Sequence, residues 1–176
     1  MPSGSYLLAG PDGPYALERF RCGPEGSGWA WESIRYEPSG TTVVGRLRLQ
    51  VDGAGRTSRL EVEAGGWLLR GGTVGGEVLW RRGDEEREAV ATGFSGSSPA
   101  YALALLRRLR LSEGRTERVR LVRVTEPVLA TRTVDEAWTR TGPEAYEVAD
   151  LATGERRVLR WDDELVEGPG LTLTRS

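Results

Sequence analysis

The chain contains no histidine, no lysine and no asparagine, and it has a single cysteine, a single methionine and a single glutamine. Without histidine there is no Ser-His-Asp triad, no imidazole general base and no imidazole metal ligand. Without lysine there is no Schiff base and no phosphate loop of the lysine-bearing kind. Cys22, being alone, closes no internal disulfide, and a reducing, cytoplasmic setting suits it. Residues 1–13 lack the basic start and the apolar stretch of a signal peptide. Long apolar runs are missing as well. The longest, Ala100 to Leu106, runs straight into Arg107 and Arg108 and falls far short of the roughly 18 residues of a membrane span. Scarcity of Asn, Gln, Cys and Met is one ingredient of heat tolerance, although strong codon bias accounts for it equally well.

What remains is an arginine-rich, glycine-rich composition of 176 residues, long enough for one domain with a core of its own. Residues 1–176 are expected to form a single β domain, with 1–13 a loosely structured segment. All 24 basic side chains are Arg; they face 26 acidic ones, and the signs alternate along most segments. A net charge of -2 without a basic stripe argues against a nucleic-acid partner.

Short strands punctuated by glycine fill the first half: 15–22, 28–36, 42–51, 58–64, 67–73, 77–81 and 86–94, each gap short enough for a hairpin. The clearest pair is Arg46-Leu47-Arg48-Leu49-Gln50-Val51 and Arg59-Leu60-Glu61-Val62-Glu63, joined through Asp52-Gly53. Period-two alternation buries Leu47, Leu49, Val51, Leu60 and Val62, at roughly 1.5 to 3 kcal/mol each if fully buried, and leaves Arg46, Arg48, Glu61 and Glu63 as an outer ladder. Elsewhere the alternation slips. Trp29 and Trp31 share one face while Ile34 and Tyr36 share the other, which predicts a bulge or a strand covered on both faces. The same slip at Leu121 and Val122 predicts a sheet that bends around its own core.

One helix is expected over about 99–109. Ser98 caps it, Pro99 suits its first position, and Ala100, Leu103, Leu106 and Leu109 recur at helical spacing. Strands follow at 117–125, 130–140, 145–151, 156–161 and 171–174. The fold class is therefore mainly β: a meander, a helix and a second meander in an antiparallel sheet.

Few motifs survive inspection. Gly93-Phe94-Ser95-Gly96-Ser97 has Ser97 where a nucleophile elbow needs glycine, and no parallel strand–helix frame surrounds it. Gly71-Gly72-Thr73-Val74-Gly75-Gly76 is followed by a strand rather than a helix, so a hairpin suits it better than a phosphate loop. Asp162, Asp163 and Glu164, like Asp84, Glu85, Glu86 and Glu88, read as charged turns. Six tryptophans (Trp29, Trp31, Trp67, Trp80, Trp138 and Trp161) against two phenylalanines either fill a core or line a pocket for an amphipathic ligand.

Ser98-Pro99, Leu106-Arg107-Arg108-Leu109-Arg110-Leu111, Val124-Thr125-Glu126-Pro127 and the Trp161-Asp162-Asp163 strand running to Glu167-Gly168-Pro169-Gly170 occur in an order that resembles a glycolipid-binding family of bacterial proteins. Ala100 to Leu105 and Gly168-Pro169-Gly170 depart from the family pattern, which has a polar approach to Arg-Arg-Leu and a late Tyr-Pro-Gly. The resemblance implies a spiral β-roll, half-barrel-like in shape, and noncovalent binding of a lipid or glycolipid.

The sequence therefore predicts a non-enzymatic binding protein with no catalytic residue, metal or cofactor. Trp29, Trp31, Trp80, Tyr101 and Trp161 would line the apolar part of its site, with Arg107 and Arg108 at the head group. Two alternatives stand beside it. One is a packed roll acting as a homodimer or partner-binding module, which Trp67 and Trp138 exposed together would favour. The other is a carboxylate- and arginine-dependent enzyme with Asp162 or Asp163 as base.

Overall fold

The structure is a computed structural model in which residues 1–174 are described. The strands are β1 (Ser3–Gly10), β2 (Gly13–Glu25), β3 (Gly28–Tyr36), β4 (Val43–Val51), β5 (Thr57–Ala64), β6 (Trp67–Val74), β7 (Glu77–Arg82), β8 (Glu85–Val90), β9 (Gly93–Ser95), β10 (Thr116–Thr125), β11 (Ala130–Arg140), β12 (Ala145–Asp150), β13 (Arg156–Trp161), β14 (Val166–Glu167) and β15 (Leu171–Thr174). Helix α1 (Pro99–Leu109) falls between β9 and β10.

Two sheets result. Nine strands pair in the order β15-β1-β2-β3-β4-β5-β6-β7-β8, and six in the order β14-β13-β12-β11-β10-β9. Every pairing is antiparallel except β9 with β10. The sheets meet where β14 hands over to β15 through the Gly168–Leu171 bridge, and again where Thr92 N donates to Arg120 O at 2.8 Å. One hydrophobic core runs through both sheets and the helix.

The β4–β5 hairpin follows its sequence pattern. Leu47, Leu49, Val51, Leu60 and Val62 are buried. Arg46 stands opposite Glu63 and Arg48 opposite Glu61. The Asp52 carboxylate accepts the N–H groups of Ala54 and Arg56, both at 2.9 Å, which ties the turn. Helix α1 has its expected bounds. Ser98 Oγ accepts the Ala100 N–H, and Arg110 ends the helix in the left-handed region at φ 47°.

Three expectations need correction. Residues 3–10 are a strand rather than loose chain, because Tyr6 and Leu8 alternate into the core with no exposure while the backbone pairs with β2 and β15. The 86–94 segment divides into β8 and β9, the chain changing sheets at Ala91-Thr92. The change of face in β3 involves no bulge between Trp31 and Ile34. Trp29, Trp31, Ser33 and Arg35 all point inward, Ile34 and Tyr36 outward, and the register shift falls only at Arg35/Tyr36. An inward arginine looks like a broken pattern until its buried partner is known.

The slip in β10 has a different cause. Leu121 and Val122 point to opposite faces and both are buried, so protein covers the strand on two sides. Its neighbour β9 lies close on β6. A side chain at Gly71 would bring its Cβ to 2.6 Å from Phe94 Cζ, an approach only glycine permits.

Candidate functional site

A cleft of about 880 Å3 opens between the two sheets. Tyr15 and Ala16 of β2, Arg35 of β3, Val44 of β4 and Ala64 of β5 form one wall; Arg123 to Pro127, Glu136, Val148 and Asp150 form the other. Ser95, Gly96 and Ser97 lie between them, and Glu155, Arg156 and Arg157 stand at the mouth.

Each wall carries a buried carboxylate held by an indole and an arginine. On the large sheet Glu18, with no exposure, receives Trp31 Nε1 (3.2 Å), Ser33 Oγ (2.7 Å) and Ser98 Oγ (2.6 Å) at Oε1. Arg35 Nη2 donates to its Oε2 at 3.0 Å. The opposite guanidinium edge, Nη1, donates to Ser97 Oγ at 3.1 Å and pairs with Glu126. On the smaller sheet Glu136, 2 % exposed, receives Trp138 Nε1 at 2.9 Å and Arg123 Nη2 at 3.2 Å. Arg123 Nε reaches Ser95 Oγ at 3.5 Å, and its Nη2 lies 3.8 Å from Asp150.

The two sheets thus present the same order of groups, tryptophan, glutamate, arginine and serine, converging on Ser95 and Ser97. Burying a charge costs several kcal/mol unless it is paired and hydrogen-bonded, and here both carboxylates are. Ser97 and Ser95 accept from these arginines, and among the described residues their hydroxyls donate to no partner.

Four arginines and four carboxylates line the cleft, so its charge is balanced. The Thr153 and Ala152 N–H groups, with Arg123 beside them, hold the Asp150 carboxyl below the usual carboxylate range. Arg156 pairs with Glu147, whereas Arg157 has no ion-pair partner among the described residues.

A second hollow, of about 160 Å3, adjoins the first and shares Tyr15, Ser95, Gly96, Ser97, Glu136 and Arg157 with it. Phe94, Tyr101, Leu105, Leu121, Trp138 and Leu159 wall it. Burial drives the Tyr101 phenol well above its ordinary range, with Arg35 and Glu18 close enough to act on it electrostatically.

Of the ligand-binding side chains expected from the sequence, Tyr101 alone borders either hollow. Trp31 is core, and Trp80 is buried at 8 % exposure, its Nε1 without a hydrogen-bond partner among the described residues. Arg107 does meet two of its named companions. Its guanidinium stacks on Trp29 at 4.4 Å and lies 5.7 Å from Trp161, but at the helix C-terminus outside the cleft. Arg108 is exposed on the same turn.

Trp138 is buried, while Trp67 is 40 % exposed beneath the Arg82 guanidinium, 3.7 Å away; the two are not exposed together. Asp162 ties a turn by accepting the Glu164 and Leu165 N–H groups. Arg35, Arg123, Glu18 and Glu136 escaped notice in the sequence. The available signal was charge at inward parity: Glu18 between Ala16 and Phe20, and Glu136 between Val134 and Trp138. The family-like Val124-Thr125-Glu126-Pro127 run does line the cleft.

No protein-family model matches the chain, and no curated protein matches it. The fold is similar to the crystal structure, at 1.80 Å resolution, of a DUF1089 family protein from Pseudomonas aeruginosa. The two chains are 23% identical over 96% of each, with a TM-score of 0.72. Among the described residues no helix is long and apolar enough to cross a membrane. The likeness establishes the fold: a mainly β chain with a large antiparallel sheet, a smaller curled sheet and one short helix.

Proposed function

We propose that the chain is a non-enzymatic binding protein that holds an amphipathic, hydroxylated ligand, a glycolipid or a similar molecule, in the cleft between its sheets. The carrying observation is the pair of arginines on the cleft walls, Arg35 and Arg123, each held by a buried glutamate and each aimed at a serine. Guanidinium, carboxylate and hydroxyl groups in equal supply suit alternating donors and acceptors such as the hydroxyls of a sugar. Balanced charge disfavours a polyanion, while Arg157 at the mouth leaves room for one negative group.

Catalysis has less support. The serines lie against arginines, which activate no hydroxyl as a base, and Glu126 and Glu136 are both engaged by guanidinium groups.

The test is native mass spectrometry of protein purified from its natural host, beside an organic extract of the same sample. A near-stoichiometric hydroxylated amphiphile, lost in Arg123→Met, is the expected result. A clean apo mass that stays clean after incubation with lipid extracts refutes the proposal and brings forward the alternative of a homodimer or partner-binding module acting through its outer face.

A further inference from the structure

Resting on the cleft reading above, we propose that the smaller hollow is an oxyanion subsite, and that the ligand places one singly charged group there: a sulfate ester, a phosphodiester or a carboxylate.

The surface that this hollow presents is more polar than apolar. Its leucines and rings, Leu105, Leu121, Leu159, Phe94 and Trp138, are turned into the core and nearly unexposed. The accessible polar side chains around it are those of Tyr15, Ser95, Ser97 and Arg157.

Charge decides what such a hollow holds. Two ionised side chains line it, Glu136 and Arg157. The Glu136 carboxylate is engaged by Trp138 Nε1 and Arg123 Nη2. Arg157 has no ion-pair partner among the described residues, whereas the other cleft arginines, Arg35, Arg123 and Arg156, are each paired with a carboxylate. Glu155, also without an ion-pair partner among the described residues, lines the cleft mouth but not the hollow. One positive charge at the hollow is therefore uncommitted. Beside it stand Ser95 and Ser97, which accept from Arg123 and Arg35 and can turn their own hydroxyl hydrogens to an anion. Helix α1 starts at the same wall; Ser98 already takes its first N–H groups, so it adds only the positive end of its dipole.

Size and charge together set the group. A cavity of roughly 150 Å3 holds a benzene-sized guest, so a hollow of about 160 Å3 takes one sulfate, phosphate or carboxylate group and leaves the rest of the ligand in the cleft. A phosphomonoester carries about −1.5 to −2 at pH 7, more than one guanidinium balances, and a singly charged group matches it.

The experiment is calorimetric titration of the full chain, in low-salt buffer, with methyl glucoside, glucose 6-sulfate, glucuronate, glucose 6-phosphate and inorganic sulfate. Glucose 6-sulfate and glucuronate are expected to bind at least about tenfold more tightly than methyl glucoside, as one charge-assisted contact implies. The 6-phosphate is expected to bind no tighter than the 6-sulfate, and inorganic sulfate more weakly than either. Arg157→Met removes the anionic advantage while methyl glucoside affinity stays within about twofold, and Arg157→Lys keeps part of that advantage. Arg157 is exposed and pairs with no carboxylate among the described residues, so these variants fold.

Methyl glucoside binding as tightly as the anionic sugars overturns the oxyanion subsite and leaves the cleft reading standing. An anionic advantage that survives Arg157→Met places the charge elsewhere and overturns the assignment. A 6-phosphate tighter than the 6-sulfate overturns the single charge, and inorganic sulfate as tight as the sugar ester overturns a group carried on the ligand. If neither neutral nor anionic sugars bind, the cleft reading for sugars falls, and this inference falls with it.

Discussion

Glu18→Gln isolates the charge of the more deeply buried carboxylate with almost no change in volume. The glutamine oxygen can keep the place of Oε1 and still accept from Trp31, Ser33 and Ser98, but those three bonds pass from charge-assisted to neutral. Bonds to charged groups contribute about 1.5–3 kcal/mol and neutral ones about 0.5–1.5, so each loses on the order of 1 kcal/mol. The glutamine amide then faces Arg35 Nη2 donor to donor, where an ion pair stood at 3.0 Å. Arg35 retains Glu126, which lies on the smaller sheet's side of the cleft. Breaking one side of a buried pair costs about 3–5 kcal/mol, and the bond-by-bond sum falls in the same range. Urea unfolding of wild type and variant, compared at equal m, measures it through the midpoint. A loss below about 0.5 kcal/mol refutes the reasoning, because it means that the carboxylate is neutral or is hydrated in the native state.

Gly71→Ala forces a Cβ to 2.6 Å from Phe94 Cζ and 2.8 Å from Leu79 O; a loss of about 1–3 kcal/mol in the same urea assay is expected, and a neutral result shows that β9 does not lie against β6. The Cys22 thiol is pushed up to about 11 by burial, with nearby Arg107 opposing the shift. At pH 8 roughly a thousandth of it is thiolate, so a thiol reagent reacts at the rate of global opening and becomes fast only in denaturant; rapid labelling of native protein contradicts this. Asp150 is held below its unfolded value of about 3.9, so its contribution is complete above that pH and disappears as pH falls through the lower, folded value. Thermal melts from pH 5 to pH 2.5 should therefore show a stability decline that is shallower in Asp150→Asn, and parallel curves exclude the carboxylate as a contributor.

Period two made most of the fold legible. Strands β10 to β13, β15 and the helix lie within about two residues of where alternation, Ser98 and Pro99 place them. Strand β1 was hidden because its apolar content is short and its two sheet neighbours come from β2 and from the far end of the chain. The site was hidden for a sharper reason. The slip from Trp29 and Trp31 to Ile34 and Tyr36 conceals that polar Ser33 and Arg35 continue the inward face of β3 and find compensation on β2 and before the helix. Such compensation joins residues 18, 35 and 98, and local spacing carries no trace of it. Tryptophan enrichment is compatible with core or pocket; Trp29, Trp31, Trp80 and Trp138 are buried in the core, and the cleft is lined by charge.

Trp31 borders neither hollow, yet its indole N–H ends on the same carboxylate that holds Arg35. A guanidinium that shifts toward a bound molecule must redistribute the electron density of Glu18, and the indole proton senses the change through one hydrogen bond. On the proposed binding role the Trp31 indole is an internal reporter: in a proton–nitrogen correlation spectrum, its side-chain resonance would register occupancy of a space that the ring never touches.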